Sequence, residues 1–193
     1  MKTTEKLFES LLVAIEKHIP KVRQLPRPPA TDDEIKTLTD VRAIPDQLIS
    51  LLQIANGQTP ELEGEFMPTP ILGHYVFLGV SEIYNALQPK HFEQETAVAE
   101  DPARSDNRIR QNYLFRSKWI PIGQNGEFQL IVDCDPTELG NLGQVFEYAP
   151  GDCPGPVIAR DLNHFIELTT KKYNSGGFKK ELNSLDVTYE RIK

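Results

Sequence analysis

The stretch Ile44-Pro45-Asp46-Gln47-Leu48-Ile49-Ser50-Leu51-Leu52-Gln53-Ile54-Ala55-Asn56-Gly57 spells out both ends of a helix. Pro45 has its φ preset for a first helical turn and no N–H to waste there. Leu48, Leu51, Leu52 and Ala55 return at spacings of three and four, which places them on one face. Asn56-Gly57 tolerates the left-handed turn that stops a helix. Burial of each leucine contributes about 1.5–3 kcal/mol, so this face makes core. A second stretch reads as sheet, from Trp119-Ile120-Pro121-Ile122-Gly123 through Asp133-Cys134-Asp135-Pro136 to Gly143-Gln144-Val145. Phe128-Gln129-Leu130-Ile131-Val132 is an apolar strand, and Gln144-Val145-Phe146-Glu147-Tyr148 alternates with period two. Between them, Pro136 and Gly140 to Gly143 are turn residues, and so short a link favours an antiparallel pair.

Outward from these segments, Leu7, Phe8, Leu11, Leu12 and Ile15 predict a helix over about residues 4–18. Four prolines from Pro20 to Pro29 mark a linker, extended where proline is dense. Thr31-Asp32-Asp33-Glu34 is a capping box opening a short helix with Ile35 and Leu38. Gly73 to Leu78 is strand-like, and Ser81 can cap a helix carrying Ile83, Tyr84 and Leu87. Residues 91–112 are polar and read as a surface excursion. Pro156-Val157-Ile158-Ala159 is a further strand, and Asp161 caps a closing helix with Leu162, Phe165, Ile166 and Thr169 on one side. The chain divides into an N-terminal helix and linker (1–30), a main domain (31–173) and an appendage (174–193). Helices first, then strands, then a last helix predict an α+β fold: an antiparallel sheet with helices mainly on one face.

Composition narrows the function. No apolar run reaches the ~18 residues of a membrane span, and Met1-Lys2-Thr3-Thr4-Glu5-Lys6 does not open a signal peptide. The cytoplasm is the expected compartment. Cys134 and Cys153 are too few for a disulfide framework or a self-contained zinc site. Twenty-one basic against 28 acidic residues give a net charge of −7. No basic stripe marks a nucleic-acid binder, whereas an acidic surface speeds encounter with a basic protein partner.

Leu130-Ile131-Val132-Asp133-Cys134-Asp135-Pro136-Thr137 resembles the first motif of haloacid-dehalogenase-like phosphatases. There the first Asp attacks phosphorus and the second is acid/base, with Mg²⁺ neutralising charge. Alternation along a strand would put Asp133 and Asp135 on one side. That fold needs several further βα units, and the 58 residues after Asp135 read as two strands and one helix. A strand ending in an Asp-Pro turn is the simpler account. His18, His74, His91 and His164 show no metal-ligand spacing. Gly123-Gln124-Asn125-Gly126 is a hairpin turn before it is an anion cradle. Trp119, opening an apolar strand, reads as core, and nothing near Cys134 in sequence would lower its pKa. Glu61, Glu63 and Glu65 would present three carboxylates to one side if extended; a solvated loop is the alternative.

Taken together, the segments resemble the SUKH superfamily, the fold of the yeast cell-wall assembly (glucan synthesis) regulator and of many bacterial proteins. The matching residues are Thr31-Asp32-Asp33-Glu34-Ile35, Ile44-Pro45, Leu51-Leu52 and Asn56-Gly57. Trp119 to Gly123, Leu130 to Asp133, Gly143-Gln144-Val145, Val157 to Asp161 and the helix with Phe165 complete the set. The resemblance spans roughly 31–172, with Ile44 standing where the family usually has Leu. It implies a non-enzymatic protein-binding domain without cofactor or metal, either an immunity protein neutralising a bacterial toxin or a regulatory adaptor of the glucan-synthesis type. The chain's lack of long disordered arms favours the bacterial type. The expected binding residues are Glu61, Glu63, Glu65, Asp133 and Asp135, the expected partner a basic toxin domain, with oligomeric state left open.

Overall fold

In the computed structural model, residues 3–59, 62, 68–88, 106–110, 116–149 and 154–176 are described. Helix α1 (Thr4–Glu16) begins where the Thr3 hydroxyl accepts the Lys6 N–H. Its Leu7, Phe8, Leu11, Leu12 and Ile15 are buried against α3 (Asp46–Leu52) and α5 (Leu162–Asn174). Helix α2 (Asp32–Val41) opens with the expected capping box, Thr31 Oγ1 accepting from Glu34 N and Glu34 Oε2 accepting from Thr31 N at 2.8 Å.

Helix α3 departs from the sequence reading at both ends. Pro45 is the N-cap, with φ −61° and ψ 139°, and the helix stops at Leu52. The proline-rich linker is the reason. Leu52 O, which a continuing helix would offer to Asn56 N, accepts instead from Ala30 N at 2.9 Å, while Asn56 N donates to Pro28 O at 3.1 Å. The linker thereby draws the backbone off the helical path, with Leu48, Leu51, Leu52 and Ala55 still fully buried.

Asn56-Gly57 then joins three elements. Asn56 Nδ2 donates to Glu34 Oε1 (3.0 Å), and Asn56 Oδ1 accepts from Val80 N (2.8 Å). Helix α4 (Val80–Ala86) therefore starts one residue ahead of Ser81, capped by a side chain from another part of the chain. Gly57 sits at φ +74°, and a Cβ there would lie 2.4 Å from Gly79 N and 2.3 Å from Arg27 Nη2. Arg27 itself reaches both oxygens of Glu82, at 2.9 and 3.0 Å. Next in sequence, the buried Gln58 amide accepts from Ile71 N and Phe77 N and donates to Thr69 O and Thr59 O. All its polar capacity is thus met inside the fold.

Among the described residues the sheet is a five-stranded antiparallel meander in order β1 (Val76–Phe77), β2 (Trp119–Asn125), β3 (Phe128–Asp133), β4 (Gln144–Tyr148), β5 (Val157–Ala159). β1 is only two residues long because Leu72 and Tyr75 close a tight turn on each other's backbone just before it. On one face, Ile120, Ile122, Leu130, Val132 and Val145 share a core with all the helices. On the other, Trp119, Ile131, Phe146 and Tyr148 form a separate aromatic cluster with Ile109. Trp119 meets Phe146 and Tyr148 edge-on, with centroids 5.1 and 5.5 Å away. Within the predicted surface excursion, residues 106–110 are thus a strap anchored by buried Ile109; residues 91–105 and 111–112 lie outside the described residues, as does the tail beyond Gly176.

Gly57→Ala will lower stability by at least about 1–2 kcal/mol from the left-handed backbone alone, more once Gly79 must yield. A urea titration showing an unchanged midpoint would contradict this close approach.

Candidate functional site

The sheet ends in a polar clamp. Asp133 closes β3 and Gln144 opens β4, directly opposite one another. Asp133 is fully buried; its Oδ1 accepts from Asp135 N and its Oδ2 from Gln144 Nε2, both at 2.9 Å. Gln144 Nε2 also donates to Arg108 O at 2.9 Å, and Gln144 Oε1 accepts from Asn141 N. The Thr137 hydroxyl donates to Asn107 O at 2.7 Å. The strap at 106–110 is therefore stitched to the β3–β4 hairpin by its carbonyls. Its other end is held by Asp106, which accepts from Val157 N and pairs with Arg108; the Arg108 hydrogen bonds hold the Asp106 carboxyl at about 2. Burial pushes the Asp133 carboxyl above its usual range, opposed by the hydrogen bonds from Asp135 N and Gln144.

Asp135 lies beyond the strand end. Its Oδ2 pairs with Arg116, and its Oδ1 faces Arg110 Nε at 3.7 Å and Lys118 Nζ at 3.8 Å. The phosphatase chemistry would need an approachable nucleophile at Asp133. Both of that residue's oxygens are engaged and neither reaches solvent. Between the two aspartates, burial raises the Cys134 thiol to about 12, so it is an inert packing residue at neutral pH. Glu61, Glu63 and Glu65 lie outside the described residues, as do His91 and Cys153.

A second polar group crosses the helix-facing side of the sheet. The Tyr75 hydroxyl donates to Glu147 Oε2, and His74 Nε2 stands 3.2 Å from the same oxygen. Gly123 makes room for it, since a Cβ there would fall 2.8 Å from Tyr75 Cβ. The His74 contact, against the opposing cost of burial, leaves the Glu147 carboxyl below its ordinary range. The sequence held one signal for this group: the alternation of β4 puts Glu147 on the same face as Val145, an acid where apolar residues belong.

The third feature is a groove of about 360 Å³ between the start of α3, the start of α5 and the β3–β4 hairpin. Ile44, Leu48, Val132 and Leu162 line it, with Asp46 and Asp161. Gln47 Oε1 accepts Asn163 N across the helix starts at 3.1 Å, which fixes their spacing. Leu142 also lines the groove and is 72% exposed, and Leu139 on the same hairpin is 67% exposed. Reading by sequence passed over both leucines, because a turn full of glycine and asparagine does not advertise which residues it presents.

The order of capped helix, Pro45 helix, Asn56-Gly57 junction and antiparallel meander agrees with one family. The model of the SMI1 / KNR4 family (SUKH-1) matches residues 29–168. The chain belongs to that family. No curated protein gives a match. SUKH domains are typically protein-interaction modules, and the family is generally non-catalytic. Among the described residues, no helix of this SUKH chain is long and apolar enough to cross a membrane.

Two outcomes follow. In Asp133→Asn, the amide nitrogen would face one of the two donors, Asp135 N or Gln144 Nε2, so stability should fall by about 1–3 kcal/mol; a thermal melt equal to wild type would refute the clamp. Glu147 has a folded pKa below its unfolded value, so its contribution is complete above the unfolded carboxylate range and fades as pH falls through the folded pKa. The difference in urea midpoint between wild type and Glu147→Gln should accordingly be largest near neutrality and shrink on acidification.

Proposed function

We propose that this SUKH domain is an immunity protein that binds and neutralises a basic toxin domain in the cytoplasm. The observation that carries the reading is the pair of strongly exposed leucines, Leu139 and Leu142, held on a clamped hairpin beside an apolar groove that also carries Asp46 and Asp161. Large apolar side chains on a rigid loop next to a groove suit a partner's anchoring residue. The net charge of −7 favours encounter with a basic surface and would make the on-rate salt-dependent. Glu61, Glu63, Glu65 and Asp135 are assigned to the polar part of this recognition. Asp133 serves as a positioning residue that fixes the hairpin. The second reading is a regulatory adaptor of the glucan-synthesis type, with several partners in place of one.

The test is co-expression with any toxin-like domain that the neighbouring genes encode, the absence of one counting against the reading. Protection is expected with the wild-type chain, and Leu139→Ser with Leu142→Ser should weaken binding by at least about tenfold. Because both side chains are exposed, melting should change by no more than about 0.5 kcal/mol in stability. Full protection by the double variant would remove the groove from the reading; no protection by wild type, with several housekeeping partners recovered instead, would favour the adaptor.

A further inference from the structure

Among the described residues, Asp135 is the carboxylate shared by three cations, Arg110, Arg116 and Lys118. Arg110 and Lys118 therefore add two positive charges beside a carboxylate that Arg116 already pairs, in a chain whose overall charge is −7. Arg116 takes Oδ2, whereas Arg110 and Lys118 approach Oδ1 only to 3.7 and 3.8 Å, beyond hydrogen-bond reach. Among the described residues neither side chain donates a hydrogen bond, and both are about half exposed.

We propose that Arg110 and Lys118, together with Asp135, form a binding site for a hydrogen-bearing oxyanion, hydrogen phosphate being the reference ligand. The backbone beneath the site is already fixed. Arg116 O accepts from Trp119 N at 3.0 Å and Lys118 O from Cys134 N at 2.9 Å. Asp135 N is held by the buried Asp133 carboxylate, and Arg110 follows Ile109, the anchor of the strap. Binding therefore orders two side chains and leaves the backbone as it is. A guanidinium and an ammonium supply charge-assisted donors to the unprotonated phosphate oxygens. Asp135 Oδ1 then decides between oxyanions. Hydrogen phosphate keeps a P–OH at neutral pH and can donate it to that carboxylate. Sulfate has no proton to give and meets only repulsion.

The experiment is an amide chemical-shift titration of the ¹⁵N-labelled full chain with phosphate and with sulfate at matched ionic strength. Saturable shifts at Lys118, Cys134 and Asp135 are expected with phosphate, and sulfate should bind more weakly by about tenfold. Arg110→Gln and Lys118→Gln should each weaken phosphate by about tenfold, with urea midpoints confirming the fold. Asp135→Asn should remove the preference for phosphate over sulfate. Equal affinity for both anions in wild type, shifts that never saturate, or phosphate binding that survives the Arg110→Gln/Lys118→Gln double variant would overturn the site. These outcomes are independent of toxin neutralisation.

Discussion

The contact on which the remaining architecture depends is the approach of one backbone to another at Gly57 and Gly79. No side chain fits between them: a Cβ on Gly57 would lie 2.4 Å from Gly79 N, and one on Gly79 would lie 2.5 Å from Asn56 O. Because the chains lie this close, Asn56 can cap α4 at Val80 while its amide nitrogen holds Glu34 of α2. The Arg27–Glu82 pair closes over the same junction. A dipeptide that sequence reading treats as a helix stop is in fact where the linker, α2 and α4 are fastened. Gln58, the next residue, extends the fastening to Phe77 of β1. The helical layer and the first strand are therefore placed by three consecutive residues.

Local signals were legible and long-range ones were not. The capping box at Thr31, the Asp161 cap on α5 and the period-two run of β4 all work within a few residues, and the structure has each where the pattern places it. Helix α3 ends early because Ala30, from the far side of the linker, takes the Leu52 carbonyl. Helix α4 begins early because Asn56 reaches across to it. No window of sequence contains either partner. Ile109 went unnoticed for a similar reason: a single apolar residue in a polar stretch has no periodicity, yet it seals the aromatic face of the sheet.

The candidate site divides the same way. Asp133 and Asp135 stand out in sequence as a strand-end pair, but their roles come from distant partners. Gln144 and the strap carbonyl at Arg108 turn Asp133 into a structural clamp. Arg110 and Arg116, 25 and 19 positions upstream of Asp135, gather around it only once the strap is laid down. Glu147 and Tyr75 meet across 72 positions. Chemistry of this kind is written in topology: an acidic chain carries a local cluster of cations around Asp135 and an apolar, acid-flanked groove.

Among the described residues, the sheet's lateral strands are its shortest, Val76–Phe77 at one border and Val157–Ala159 at the other. A foreign peptide seeking to extend the ladder would find two or three residues of template, too few for main-chain pairing to hold it. Strand addition is thereby disfavoured both as an aggregation route and as a mode of capture. Along the described edges, selection of a protein ligand would fall to side chains, so specificity could drift by point substitution while the backbone stays as it is.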